Sequence, residues 1–196
     1  KIASFEIVDH PLIEKCARTG KPLIISTGMA NAEEIEAAVK VARNGECEDL
    51  ILLHCTSGYP TPVDDCNLAT IPDMANRFDV LTGLSDHTPG SAVPMAAIAL
   101  GAVMVEKHLT LRRADGGPDA AFSLEPNELK TLIEGCATVY KAMGQVNYDL
   151  KPSEQANLIF RRSLYAVADI KAGEKLTDQN VRSIRPSLGL APSQLM

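Results

Sequence analysis

Residues 22–55 read PLIISTGMANAEEIEAAVKVARNGECEDLILLHC, and three patterns succeed one another within them. Pro22 to Ser26 and Leu50 to Cys55 are apolar runs too short for a helix, each closed by polar or turn residues, which predicts strands. Between them Ile35, Ala38, Val39 and Ala42 recur at helical spacing over Asn31 to Asn44, and Asn31 with Glu34 makes a capping-box start. A strand, a helix and a strand in that order predict a parallel pair joined by a crossover.

The same alternation extends in both directions. Val80 to Leu84 and Val103 to Glu106 are further strand candidates, with Lys1 to Ile7 as a fifth. Weaker helical patterns lie near Pro11 to Thr19, Leu68 to Arg77 and Ser91 to Ala99. A clear one runs from Pro126 to Met143, with Leu129, Leu132, Ile133, Cys136, Val139 and Tyr140 as its stripe and Gly144 at its end. Strand ends carry polar clusters that packing does not require: Ser-Phe-Glu at 4–6, Ser-Thr-Gly at 26–28, His-Cys-Thr-Ser at 54–57, Ser-Asp-His-Thr at 85–88 and Glu-Lys-His at 106–108. Open doubly wound sheets and closed barrels both build sites there, but no strand is followed by a dinucleotide or P-loop glycine pattern. The expectation is an α/β chain: five C-terminal units of a (β/α)8 TIM barrel over residues 1–145. A linker over 146–160 and a small β-rich module over 161–196 complete it. That module, at 36 residues, falls below the roughly 40 that usually fold unaided, so it is expected to lean on a barrel or a partner chain.

Composition narrows the function classes. The 196 residues are 45% hydrophobic, and no run approaches the ~18–20 apolar residues of a membrane helix. A net charge of −6 without a basic stripe argues against nucleic acid as a partner. Five scattered cysteines, Cys16, Cys47, Cys55, Cys66 and Cys136, suggest neither a disulfide framework nor a zinc knuckle, and a reducing cytoplasm is expected. The chain opens Lys-Ile-Ala-Ser without a signal segment and reads as the middle of a larger protein.

His87 and His108 are the sharpest pair, because each ends a strand and consecutive parallel strands lie about 4.8 Å apart. Two imidazoles converging on one ion, with oxygen donors for the rest, suit Mn²⁺, Mg²⁺ or Co²⁺; the plainer alternative is two hydrogen-bonded rim residues. Asp86 and Glu106 beside them either orient the imidazoles or tie the strand ends. His54 is expected to be a hydrogen-bonded core histidine, and Cys55 a small apolar filler. Ser26, Ser85, Ser4 and Lys1 offer hydroxyls and an ammonium for a phosphate or carboxylate, although hydroxyls at strand ends also serve as helix caps. Glu6 is an acid or base, or a salt-bridge partner. Tyr59, in a stiff Tyr-Pro-Thr-Pro loop, can be presented to a ligand, and Asp119 can fold back over the mouth.

These residues resemble the sialic acid synthases, which condense phosphoenolpyruvate with an N-acetylated amino sugar. The matching segments are Lys1-Ile-Ala-Ser-Phe-Glu, Gly20-Lys-Pro-Leu-Ile-Ile-Ser-Thr-Gly-Met, Leu53-His-Cys-Thr-Ser-Gly-Tyr-Pro-Thr-Pro, Gly83-Leu-Ser-Asp-His-Thr, Val105-Glu-Lys-His-Leu-Thr, Gly117-Pro-Asp and Ser123-Leu-Glu-Pro. Arg161-Arg-Ser-Leu, Asp169-Ile-Lys-Ala-Gly-Glu and Arg182-Ser-Ile-Arg-Pro look like the family's antifreeze-like (SAF) domain. Ala-Ser-Phe-Glu at 3–6, Ser-Ile-Arg-Pro with Gly189-Leu190, and Ser57 where the neuraminate enzymes tend to have Asn look more like pseudaminic acid synthases. Legionaminic acid and spore-coat polysaccharide synthases remain open.

The resemblance implies a barrel whose first three strands precede Lys1. It also implies His87 and His108 as ligands of Mn²⁺ or Mg²⁺, Lys1, Ser4, Ser26 and Ser85 around phosphoenolpyruvate, and Glu6 near the reacting carbons. Ser57, Tyr59 and Asp119 would contact the sugar. Arg185 would reach a partner subunit's barrel in a domain-swapped homodimer. The competing readings are another metal-dependent barrel enzyme, which would not need the small module, and a non-catalytic carbohydrate-binding protein, which would be indifferent to His87→Ala.

Overall fold

The computed structural model describes residues 1–195, and the chain divides into two compact units, Lys1–Gly144 and Gln145–Met196. In the first, helices and strands alternate: α1 (His10–Ala17), β1 (Leu23–Ser26), α2 (Ala32–Asn44), β2 (Leu50–Cys55), α3 (Thr70–Phe78), β3 (Leu81–Asp86), α4 (Ala92–Ala99), β4 (Val105–Lys107) and α5 (Pro126–Met143). The strands form one parallel sheet in the order β1-β2-β3-β4. Sequential order matters, because right-handed crossovers that never reverse put every helix on the same face of the sheet. A doubly wound sheet reverses at a switch point, whereas a barrel does not.

Local chemistry sets the ends of these elements. Asp9 caps α1 by accepting the Leu12 N–H at 3.1 Å, and Pro11 sits in the first turn, where no intrahelical donor is needed. The capping box of α2 is reciprocal: Asn31 Oδ1 accepts from the Glu34 N–H and Glu34 Oε2 from the Asn31 N–H, both at 2.9 Å. In α5 the expected stripe is only partly covered, with Leu132 buried and Ile133 and Tyr140 exposed.

Alternation along the strands separates two faces. Leu23, Ile25, Leu50 and Leu52 face the helices and pack with Ile13, Ala17, Ile35, Val39 and Met74, while Leu84 joins a smaller cluster with Ile71 and Ala97. The opposite face ends in Ser26, Cys55, Ser85 and Glu106, one step beyond which lie His87 and His108.

Two expectations are corrected. Lys1 to Ile7 is not a strand: Ile2 makes a single parallel bridge to Ile25, and the chain then tightens into a 3₁₀ turn at Ser4–Glu6. The reason is local, since the Ile7 N–H bonds to the Ser4 carbonyl at 3.3 Å while the Ser4 hydroxyl turns to the Gly28 N–H at 3.0 Å. β3 and β4 also run further into polar sequence than apolar patterning predicts, because Ser85 pairs with Glu106 and Asp86 with Lys107 in the ladder.

The second unit contains an antiparallel pair, β5 (Ser163–Ala166) and β6 (Val181–Ile184), with Tyr165 opposite Arg182. A 3₁₀ segment at Pro152–Phe160 precedes it, within the stretch expected to be a plain linker. Ser163, Asn180 and Val181 are its buried residues among those described. No helix among the described residues is long and apolar enough to cross a membrane.

Candidate active site

At the C-terminal ends of β3 and β4 the imidazoles of His87 and His108 stand with ring centroids 5.2 Å apart. His87 Nδ1 lies 3.1 Å from the Thr56 carbonyl and 4.0 Å from Cys55 Sγ; His108 Nδ1 lies 3.6 Å from Asp119 Oδ2. His87 Nδ1 is thus within hydrogen-bond reach of an acceptor, His108 Nδ1 is only at ion-pair distance from one, and neither Nε2 has a protein hydrogen bond among the described residues. An acceptor behind one ring nitrogen holds the proton there and turns the other nitrogen outward as a ligand. Among the described residues no three His, Cys, Asp or Glu side chains converge as a complete metal cage. Two imidazole nitrogens are borderline donors, and a divalent ion between them would need its remaining ligands from elsewhere.

Aromatic rings wall the pair. Tyr59 stacks 4.3 Å from His87 and lies 6.1 Å from His108, and Phe122 lies 5.1 Å from His108. Tyr59 is 46% exposed, so one side of its ring remains free for a ligand. Burial, and then the negative neighbour Cys55, push its hydroxyl above the usual phenol range. Phe122 was not singled out in the sequence; it is one apolar residue in a loop, and only the turn at Asp119 to Ser123 brings it back over the histidines.

Beside the imidazoles lies a charged group. Lys1 Nζ donates to Glu106 Oε1 at 2.8 Å, and the Ser85 hydroxyl donates to the same oxygen at 2.7 Å. Burial works to raise the Glu106 pKa, but the Lys1 ammonium and the Ser85 hydroxyl more than offset it and hold the carboxyl below its ordinary value. Next to this group Ser4 and Ser57 converge over Gly28. A methyl on Gly28 would fall 2.2 Å from Ser57 Oγ and 2.8 Å from Ser4 Oγ, so glycine is required for this approach. The Ser26 hydroxyl is buried, on the same face, and has no hydrogen-bond partner among the described residues. A buried hydroxyl without a partner carries a desolvation penalty that an incoming oxyanion can relieve.

Cys55 is the small buried residue expected, and it also faces the site. Alternation along β2 turns His54 toward the helices, where its Nε2 meets the Cys66 carbonyl at 2.6 Å, and therefore turns Cys55 inward. Burial raises the thiol pKa, but contacts with His87, Ser4 and Ser57 outweigh burial and bring it below its ordinary value. The His87 pKa is raised in turn: burial opposes its charge, and Cys55 and the Thr56 carbonyl overcome that. Which way His54 faced was open in the sequence, and fixing it also fixes its neighbour.

Lys1, Ser4, Ser26, Ser57, Tyr59, Ser85, His87, His108 and Asp119 therefore gather at one rim. Glu6 does not join them by any contact: it is exposed on the 3₁₀ turn, without a hydrogen bond or ion pair to the cluster among the described residues. Arg185 lies in the second unit, exposed just after β6. Asp86, next to His87, faces away from the rim and pairs with Lys107.

The chain matches the NeuB family over residues 1–148 and the SAF domain over residues 161–196. A pseudaminic acid synthase of Helicobacter pylori is 43% identical over 98% of this chain and 57% of its own length. An N,N'-diacetyllegionaminic acid synthase of Campylobacter jejuni is also 43% identical, over 97% of this chain and 58% of its own. The crystal structure of an N-acetylneuraminic acid synthetase from Leptospira borgpetersenii, in complex with citrate, superposes with a TM-score of 0.74 at 37% identity, over 80% of this chain and 55% of that one. The chain thus spans little more than half the length of the proteins it matches, and its parallel strands form a half-barrel of the TIM type.

Proposed function

Because the chain belongs to the NeuB family, we propose that it is the part of a nonulosonic acid synthase that holds the imidazole pair and much of the phosphoenolpyruvate site, with pseudaminic acid as the product. The observation that supports this best is the His87–His108 pair, with His87 Nδ1 on the Thr56 carbonyl, Asp119 near His108, and a lysine and several serine hydroxyls alongside. In this reading residues 1–145 belong to the barrel, 146–160 link, and 161–196 begin the SAF domain.

A divalent ion held by His87 and His108, Mn²⁺ first and Mg²⁺ or Co²⁺ as alternatives, supplies Lewis acidity toward a carbonyl oxygen. The chain's own residues do the rest of the positioning. The Lys1 ammonium and the Ser4, Ser26 and Ser85 hydroxyls take the phosphate and carboxylate of phosphoenolpyruvate, and the Ser26 hydroxyl gains the partner it lacks. Glu106 holds Lys1 and Ser85 toward that anion. Tyr59, Ser57 and Asp119 meet the amino sugar; Glu6, which contacts none of these groups here, is assigned to the reacting carbons on the family resemblance alone. The enol carbon of phosphoenolpyruvate attacks the open-chain sugar aldehyde, water adds to the cationic carbon left behind, and phosphate departs by C–O cleavage. Arg185 completes the site from a partner subunit in a domain-swapped homodimer. The compartment is the cytoplasm, where phosphoenolpyruvate is made.

Ser57 and the Ala-Ser-Phe-Glu segment favour the pseudaminic precursor, a diacetamido-trideoxyhexose, over N-acetylmannosamine. The equal identity to the legionaminic enzyme keeps the legionaminic precursor as the second reading. The test is phosphate release by the full-length protein with phosphoenolpyruvate and Mn²⁺, each sugar supplied separately. Metal-dependent release with the pseudaminic precursor alone is expected. Release with another precursor alone reassigns the product, and none from folded, metal-loaded protein removes the synthase reading.

A further inference from the structure

The ladder that joins β3 to β4 is short: Leu84 pairs with Val105, Ser85 with Glu106, and Asp86 with Lys107, where it ends. His87 and His108 lie one residue beyond that end, so no ladder bond sets the distance between them. What crosses between the two strands there is a buried ion pair on the opposite face. Lys107 Nζ lies 2.5 Å from Asp86 Oδ2, with the two side chains 3% and 2% exposed. Lys107 Nζ also donates to the Thr88 carbonyl, on the far side of His87. Asp86 in turn accepts the Thr88 N–H at 3.0 Å and the Thr88 hydroxyl at 3.1 Å. One ammonium, next in sequence to His108, therefore grips the residues on both sides of His87.

We propose that Asp86 and Lys107 are positioning residues: a cross-strand staple that fixes the spacing of the His87 and His108 imidazoles at the end of a ladder too short to do so. Taking two charges out of water is expensive, and a well-packed apolar pair in their place is often no less stable. A buried pair is therefore better explained by geometry than by stability, and the geometry held here is that of two side chains on the other face. The Thr61 N–H to the His87 carbonyl, 3.1 Å, and the Leu124 N–H to the His108 carbonyl, 2.9 Å, anchor each histidine to its own loop. Neither ties one histidine to the other.

The proposal rests on the metal-site reading above, and its test keeps the two separable. In full-length, metal-free protein with isotope-labelled histidine, the nuclear Overhauser contact between the His87 and His108 rings reports their spacing without any metal. The double variant Asp86→Asn/Lys107→Met removes both charges together, keeps one oxygen acceptor for the Thr88 N–H, and turns the second contact around, the amide nitrogen donating to the Thr88 hydroxyl oxygen. It is expected to melt close to the wild type, to lose the inter-ring contact, and to bind Mn²⁺ about 10- to 100-fold more weakly in calorimetry. Thr88→Val, which deletes one hydrogen bond and no charge, is expected to move both readouts the same way by less, and it decides the matter should the double variant fail to fold. An unchanged inter-ring contact in a folded variant overturns the staple. Wild-type protein that binds no Mn²⁺ overturns the metal-site reading instead, and the inter-ring contact still judges the staple by itself.

Discussion

The β3–β4 rim carries a lysine–carboxylate pair on each of its two faces, one residue apart in register. Lys1–Glu106 lies on the inner face at 2.8 Å with side chains 31% and 41% exposed; Asp86–Lys107 lies on the outer face, almost fully buried. The outer carboxylate is saturated by Thr88 and Lys107, so nothing there is left for a ligand. The inner one holds a partly exposed ammonium and a serine hydroxyl beside the buried Ser26 hydroxyl, which has no partner among the described residues. The two pairs thus differ in solvent access: the outer one is closed off, and the inner one leaves an ammonium and a hydroxyl accessible at the rim.

The largest effect should come from breaking each pair on one side only. Lys107→Met leaves Asp86 buried and unpaired, and about 3–5 kcal/mol of stability should be lost in urea denaturation. Glu106→Gln on the inner face should stay within about 1 kcal/mol, because solvent screens an exposed pair. On the proposed synthase reading its effect should appear in the KM for phosphoenolpyruvate, since Glu106 bonds both Lys1 and Ser85. Equal stability losses from the two would erase the distinction between the faces.

A second contrast moves along the inner face, from the core to the rim. A Cβ on Gly83 would fall 2.5 Å from the Met104 carbonyl oxygen and 2.7 Å from Leu53 Cδ2, and backbone cannot rotate away. Gly83→Ala should cost about 1–3 kcal/mol through overpacking between β3 and the residue that leads into β4. At Gly28 the closest obstacles are the Ser57 and Ser4 hydroxyls, which can turn aside, with the Ser4 Cβ at 3.1 Å left to yield by a few tenths of an ångström. Gly28→Ala should therefore leave the melting temperature nearer the wild type while weakening substrate binding by displacing both serines. Gly28→Ala losing as much stability as Gly83→Ala, with substrate binding intact, would mean that the rim is packed for rigidity.

How much of this the sequence disclosed depends on period and register. The alternation of short apolar runs and helical stripes foretold the parallel sheet, because periods of 2 and 3.6 are local properties. His87, His108 and the serine cluster were legible because polar residues recur where packing has no use for them. Lys107 was not. Its role depends on Asp86 standing opposite it, and register is visible only once the strands are aligned. The direction of Cys55 was hidden for a related reason: within Leu-Leu-His-Cys no polar alternation says which of the last two faces inward, and shifting by one position exchanges them. Ser4 to Glu6 failed as a strand because a turn closed by a few hydrogen bonds overrode an apolar start.

The smallest effect comes from an exposed pair away from the rim. Arg113 donates two hydrogen bonds to the Glu128 carboxylate, one of them at 2.9 Å, and the Glu125 N–H adds a third at 2.8 Å. The guanidinium first, and that backbone N–H second, pull the Glu128 pKa from 4.5 to about 2. A carboxyl whose folded pKa is depressed lends stability that is fully present above its unfolded value and is lost as the pH falls through the folded one. Glu128→Gln should therefore lower stability slightly at neutral pH and flatten its decline between about pH 5 and pH 2. The measurement is thermal melting across that window, wild type against variant. Because the pair is open to solvent, the change should be much smaller than that of Lys107→Met, and a comparable loss would mean that exposure does not decide what an ion pair contributes here.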